Sequence, residues 1–183
     1  MSDWRLTPQN SALVVIDVQE KLMNVMPQRA AALASIQELI GASRVLKLPT
    51  LVTAQYIKGL GPICPEIAEA TPGITPIEKM AFSCCGSEEF LRAVKDLGRQ
   101  RIILCGIEAH VCVSQTVLDL LHRGVEVHVP ADAVGSRNQI DYERGLVRLE
   151  RAGAVVSTVE TVLFELLERA DTPEFKTIQK LII

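Results

Sequence analysis

The chain lacks any excess of positive charge. Its 183 residues carry 19 Lys and Arg against 22 Asp and Glu, a formal net charge of −3. Proteins that grip phosphate backbones use basic patches, so this balance gives no support for a nucleic-acid partner. Long apolar runs are lacking too. None reaches the ~18 residues that a membrane-spanning helix needs, although 48% of the residues are hydrophobic. The opening MSDWRLTPQN shows no charged-then-apolar leader pattern. These absences lead to the expectation of a soluble, cytoplasmic protein with no membrane partner.

Paired cysteines are missing as well. Cys64, Cys84, Cys85, Cys105 and Cys112 are odd in number and nowhere form C-x-x-C. A disulfide framework, a zinc ribbon or a thioredoxin-type motif is therefore not indicated. His110-x-Cys112 offers two possible metal ligands without the second pair that a closed site requires, so no metal is expected. Neither G-x-G-x-x-G nor G-x-x-x-x-G-K-[ST] occurs, which removes the usual phosphate cradles and leaves no cofactor implied. The G-x-S-x-G elbow of serine α/β-hydrolases is absent. With no internal repeat, low-complexity tract or linker, the length suits one domain, 1–183, with a sizeable core.

What the chain does have is alternation. Six β-type runs are ALVVIDV (12–18), PTLVTA (49–54), TPIEKM (75–80), RIILC (101–105), VEVHV (125–129) and GAVVST (153–158). The first and fourth are continuously apolar, as strands buried on both faces must be. Helical periodicity fills the gaps. Residues 29–46 place Leu33, Ile36, Leu39 and Ile40 on one face. A second helix follows Ser87 as N-cap, has Glu88 and Glu89 in its first turn, and stops at Gly98. The segment 111–124 stops at Gly124, and 138–153 is periodic. Residues 157–170 open with a Ser157-x-x-Glu160 capping box. The tail predicts a last short helix with Phe175, Ile178 and Leu181 facing inward. This order predicts right-handed crossovers and a three-layer α/β/α sandwich with a six-stranded parallel sheet. Residues 55–76 form the longest irregular stretch, and their Gly and Pro content suggests a functional loop or a partner-contacting arm.

Ligands of doubly wound sheets collect beyond the carboxyl ends of the strands. Three residues stand there. Asp17 either caps the turn DVQEKL or, desolvated, accepts a proton near neutral pH. Lys79 is either a solvated edge lysine or a cation drawn in among Met80, Ala81 and Phe82, where it would favour a thiolate or oxyanion. Cys112 is either a packed thiol or a nucleophile. A helix N-terminus beside it would favour the thiolate and supply N–H donors to an oxyanion. Cys105 lies inside a strand and reads as core, and His122 and His128 read as structural.

Taken together, ALVVIDVQ with Asp17 and Gln19, EKMAFS with Lys79, and GIEAHVCVSQT with Cys112, followed by LLHRGVEVHVPADAVGSR, resemble the isochorismatase-like cysteine hydrolase superfamily. The resemblance runs from 11 to 158, and TAQYIKGLGP and FKTIQKLI resemble a subgroup of isochorismatase-domain hydrolases. It implies sheet order 3-2-1-4-5-6 and a catalytic triad of Asp17, Lys79 and Cys112. It also implies a cis peptide joining Ile107 to Glu108, which would aim the Glu108 and Cys112 amides at one oxyanion. Gln19, Tyr56 and Phe82 are expected to line a pocket for a small-molecule substrate, and a homo-oligomer is expected. Nicotinamide-cleaving relatives carry Asp and His metal ligands after the second strand, where this chain has Gln55, Tyr56 and Ile57. His110 stands where Asp is common. The reaction implied is hydrolysis of a small amide or related C–N bond through a Cys112 thioester. Vinyl-ether hydrolysis with Asp17 as acid and a non-catalytic assembly role are the alternatives.

Overall fold

The computed structural model describes residues 5–182. Among these residues, seven parallel strands are interspersed with helices. In chain order these are β1 (Ser11–Ile16), α1 (Glu20–Met23), α2 (Arg29–Leu46), β2 (Thr50–Gln55), α3 (Ile57–Leu60), α4 (Pro65–Ala70), β3 (Ile77–Lys79), α5 (Glu88–Leu97), β4 (Arg101–Ile107), α6 (Ser114–His122), β5 (Glu126–Pro130), β6 (Val134–Gly135), α7 (Gln139–Ala152), β7 (Val155–Ser157), α8 (Val159–Leu167) and α9 (Pro173–Ile182). The sheet order is β3-β2-β1-β4-β5-β7, with β6 paired to the end of β4. The expected order 3-2-1-4-5-6 holds, its sixth strand being β7. The two-residue β6 is additional, too short to leave a periodic signal.

β1 shows why the sheet sits in the middle. All six of its residues are buried. Leu13 and Val15 face the core that α2, α8 and α9 cover. Ala12, Val14 and Ile16 face the core under α5, α6 and α7. A strand buried on both faces has no reason to alternate polar with apolar, which is the pattern read from ALVVIDV. β1 and β4 pair from Ser11↔Arg101 to Ile16↔Gly106, so their carboxyl ends finish side by side.

Three local expectations change. The cap of α8 is Thr158, whose side chain accepts from Thr161 N, and not Ser157, whose hydroxyl has no partner. β7 extends through Ser157, so the capping register moves on by one residue. The stretch 55–76 is not structureless, since it holds α3 and α4. In α9, Ile178 is buried and Phe175 half-buried, but Leu181 stays exposed, resting against Gly41 of α2.

Candidate active site

The carboxyl ends of β1, β2, β3 and β4 converge on one carboxylate. Asp17, the residue after β1, adopts φ 51, a left-handed conformation that is uncommon outside glycine. It is fully buried. Its two oxygens are held separately. Oδ1 accepts from the Thr53 hydroxyl of β2 at 2.8 Å, and Oδ2 accepts from Lys79 Nζ of β3 at 2.6 Å. Lys79 is only 3% exposed, so the edge-lysine alternative is settled by position: its charge lies in the interior, matched by Asp17.

Lys79 has no proton to spare. Nζ reaches Asp17 Oδ2, Gln55 Oε1 at 2.7 Å, Phe82 O at 3.1 Å and Ala81 O at 3.3 Å. An ammonium carries three donors, and here it meets four acceptors. Gln55 is itself fixed, its Nε2 donating to Met80 O at 2.8 Å. Gln19 fixes the strand exit. Its Oε1 accepts from Gln55 N, and its Nε2 donates to Gln55 O and to Gly61 O.

Cys112 arrives from β4. Gly106 has φ +117, and a Cβ there would lie 2.1 Å from the Ile16 carbonyl oxygen. Only glycine lets β4 finish against the backbone that leads into Asp17. The Ile107–Glu108 peptide is cis. A wide turn, Ala109–Val113, follows, in which Val111 N and Val113 N both donate to Glu108 O. Cys112 therefore sits in this turn, just ahead of α6, and is 7% exposed. Its thiol lies within electrostatic reach of Asp17 and Lys79. Burial, then the Asp17 charge, push the thiol up to about 12, against the pull of Lys79. The resting group is a thiol. Burial first, and the facing carboxylate second, work against the thiolate that a helix terminus would favour.

The turn is clamped from outside. Glu108 Oε1 accepts from Arg137 Nε at 2.7 Å and Arg137 N at 3.3 Å. His110 Nδ1 lies 2.9 Å from Ser136 Oγ, and its Nε2 lies 3.9 Å from Asp141. His110 thus ties the turn to the start of α7. Gly145 of α7 lies so close that an added Cβ would stand 3.2 Å from His110 Cα. Inside, Thr116 Oγ1 donates to Cys112 O at 2.7 Å and accepts from Cys84 N at 2.9 Å.

Of the expected pocket residues, Tyr56 and Phe82 are exposed at the ends of β2 and β3 beside Met80. Gln19 is fully buried, with its amide spent on backbone, and so braces the site from within. Thr53, Gln55, Thr116 and Cys84 were missed. Thr53 and Gln55 left a signal, two polar residues at period two at the carboxyl end of β2. A cavity of about 60 Å³ opens between α2 and α7, lined by Met26, Ala32, Asp132, Val134 and Tyr142 among others, and does not include Asp17, Lys79 or Cys112.

Residues 11–161 match the isochorismatase domain model. Isochorismatase domain-containing protein 2 of Danio rerio is 42% identical over 179 residues, covering 97% of this chain and 89% of that protein. The secreted isochorismatase effector Isc1 of Phytophthora sojae is 38% identical, covering 97% and 87%. Among solved structures, MAR1 ribonuclease from Caenorhabditis elegans superposes with TM-score 0.91 at 44% identity, covering 97% and 92%. YcaC from Pseudomonas aeruginosa, solved with hexane-2,5-diol and covalent acrylamide, superposes with TM-score 0.92 at 27% identity, covering 99% and 93%. YcaC of Escherichia coli, described as an octameric hydrolase of unknown specificity, gives 0.93 at 26% identity, covering 100% and 93%. The chain belongs to the isochorismatase family of hydrolases.

Proposed function

We propose that this chain is a metal-independent cysteine hydrolase of a small amide or related C–N bond. The observation that carries the reading is a buried Cys112 thiol that feels the charges of a buried ion pair, Asp17 and Lys79, 2.6 Å apart. As sulfur attacks the carbonyl carbon, its proton passes to Asp17. The Glu108 and Cys112 amides hold the resulting oxyanion. The C–N bond then breaks, and Asp17 gives its proton to the leaving nitrogen. Water adds to the thioester, again losing a proton to Asp17, and that proton returns to Cys112 as the C–S bond breaks. Because its donors are saturated, Lys79 acts on developing charge through Asp17 rather than by touching the substrate. Acrylamide is both an amide and a thiol-seeking electrophile, so its covalent capture by the Pseudomonas YcaC supports a reactive nucleophile in this fold.

The test is an amide-library screen followed by mass spectrometry of a trapped acyl adduct. The expected adduct sits on Cys112, and Cys112→Ala abolishes turnover while keeping the fold. Full activity of Cys112→Ala on the same substrate would overturn the mechanism. Vinyl-ether hydrolysis with Asp17 as acid is the second reading, favoured by the name of the matching domain, and it would survive that substitution. The ribonuclease name of the nematode relative adds RNA as a control substrate. The net charge of −3 leads us to expect no cleavage. Self-association is part of the proposal, supported by the octamer described for the Escherichia coli YcaC.

A further inference from the structure

We propose that Thr53 and Cys84 form a positioning relay that holds Asp17 as the ionised base. The inference rests on the cysteine-hydrolase reading and assigns two residues to it. Asp17 must lose its proton before it can take one from Cys112, and it is fully buried, so each of its oxygens needs a donor from the protein. Lys79 answers for one oxygen, Oδ2. The other, Oδ1, depends on Thr53, fully buried, whose hydroxyl lies 2.8 Å away. A carboxylate can only accept, so the single Thr53 proton points at Asp17. That leaves the Thr53 oxygen to accept, and the Cys84 thiol donates to it at 3.7 Å. The chain of donors therefore runs one way, from Cys84 S–H to Thr53 O–H to Asp17.

The direction fits the second thiol. Cys84 is fully buried, its amide is tied to Thr116, and Thr116 is tied in turn to Cys112. Burial pushes the Cys84 thiol up to about 12, so it keeps the proton it must donate. Two thiols thus share one site with different tasks. Cys112 gives its proton to Asp17 directly, while Cys84 keeps its own and polarises Thr53. The groups that face Asp17 are Thr53 from β2, Lys79 from β3 and Cys112 from the turn before α6, with Cys84 behind Thr53. Of these, only Lys79 carries positive charge.

The experiment measures the rate at which iodoacetamide alkylates Cys112, resolved by peptide mass spectrometry, from pH 4 to 10. Below the first ionisation of the coupled Asp17–Cys112 pair no sulfur is available, which gives the profile an acid limb. Thr53→Val should move the midpoint of that limb upward by about one pH unit, the scale of one hydrogen bond to a buried carboxylate. Thr53→Ser, which keeps the hydroxyl, should restore it. Cys84→Ala should give a smaller shift in the same direction. Superposition of the Thr53→Val and wild-type profiles would overturn the relay. If Thr53→Val does not fold by circular dichroism, the Cys84→Ala profile decides, and its superposition on wild type has the same force. A wild-type Cys112 with no acid limb would instead overturn the underlying cysteine-hydrolase reading, so the two failures are distinguishable.

Discussion

Asp17 and Lys79 are a buried pair, and the worth of such a pair shows when one member is removed. Lys79→Met leaves a carboxylate in the interior without its cation, which should cost about 3–5 kcal/mol of stability. Urea unfolding measures this, and a change under about 1 kcal/mol would mean that the charge escapes to water. Asp17→Asn separates binding of the proton from reactivity. In the wild type the Asp17 charge raises the Cys112 thiol, while Lys79 lowers it. Asparagine removes that raising influence and keeps the lowering one. The expected result is a Cys112 that ionises below its wild-type value of about 12 and is alkylated faster in mild alkali, with turnover lost. Faster labelling with intact turnover would show that Asp17 is not the proton carrier. At this scale the sequence exposed Asp17, Lys79 and Cys112, because each stands at or after the end of a β-type run. The protonation state of Cys112 was hidden, since it depends on a carboxylate 95 positions away in the chain (Asp17 to Cys112) that no local pattern connects to it.

Two close backbone meetings place the turn that holds Cys112, and each depends on a glycine. Gly106 brings the end of β4 onto Ile16, and Gly145 brings α7 onto His110. Gly106→Ala places a methyl 2.1 Å from a carbonyl oxygen in a left-handed conformation, so β4 and β1 must part. The expected outcome is a loss of several kcal/mol together with loss of Cys112 labelling, read by thermal melting and mass spectrometry. Gly145→Ala is gentler. Alanine favours the helix by roughly 0.5–1 kcal/mol over glycine, and the turn need give only a few tenths of an ångström. It should therefore leave the melting temperature within a few degrees and still slow turnover, because the Glu108 and Cys112 amides shift. Unchanged kcat would mean that the turn tolerates displacement. Element types were mostly legible, since α2 and α5 carry plain periodicity and clear ends. The clamp on the turn was not, because Ser136, Arg137 and Gly145 act through tertiary proximity. The α8 cap was off by one residue because Ser157 and Thr158 are chemically interchangeable caps, and only the length of β7 decides between them.

The whole molecule keeps its cysteines inside, and this sets its response to alkali. Cys84 and Cys105 are fully buried, and both titrate well above the usual range because burial disfavours the thiolate. Above pH ~8.5 an unfolded chain releases these protons while the folded chain retains them. Stability is therefore complete below that pH and falls as pH rises, by roughly 1.4 kcal/mol per unit for each such thiol. Urea midpoints should decline from pH 9 to 11, and Cys105→Ala should flatten the slope. A midpoint constant to pH 11 would contradict the buried-thiol account. The layer architecture and strand order were readable at this scale because β1 and β4 are apolar over most of their length and helices separate most successive strands. The saturation of Lys79 has one more consequence, for chemical labelling. Lys21, Lys47, Lys58, Lys95, Lys176 and Lys180 all lie exposed, while Lys79 has every proton engaged in the interior. Reductive methylation of the native protein should therefore dimethylate the first six and leave Lys79 a primary amine, so the surface can be recoated for crystallisation without altering the Asp17–Lys79 pair.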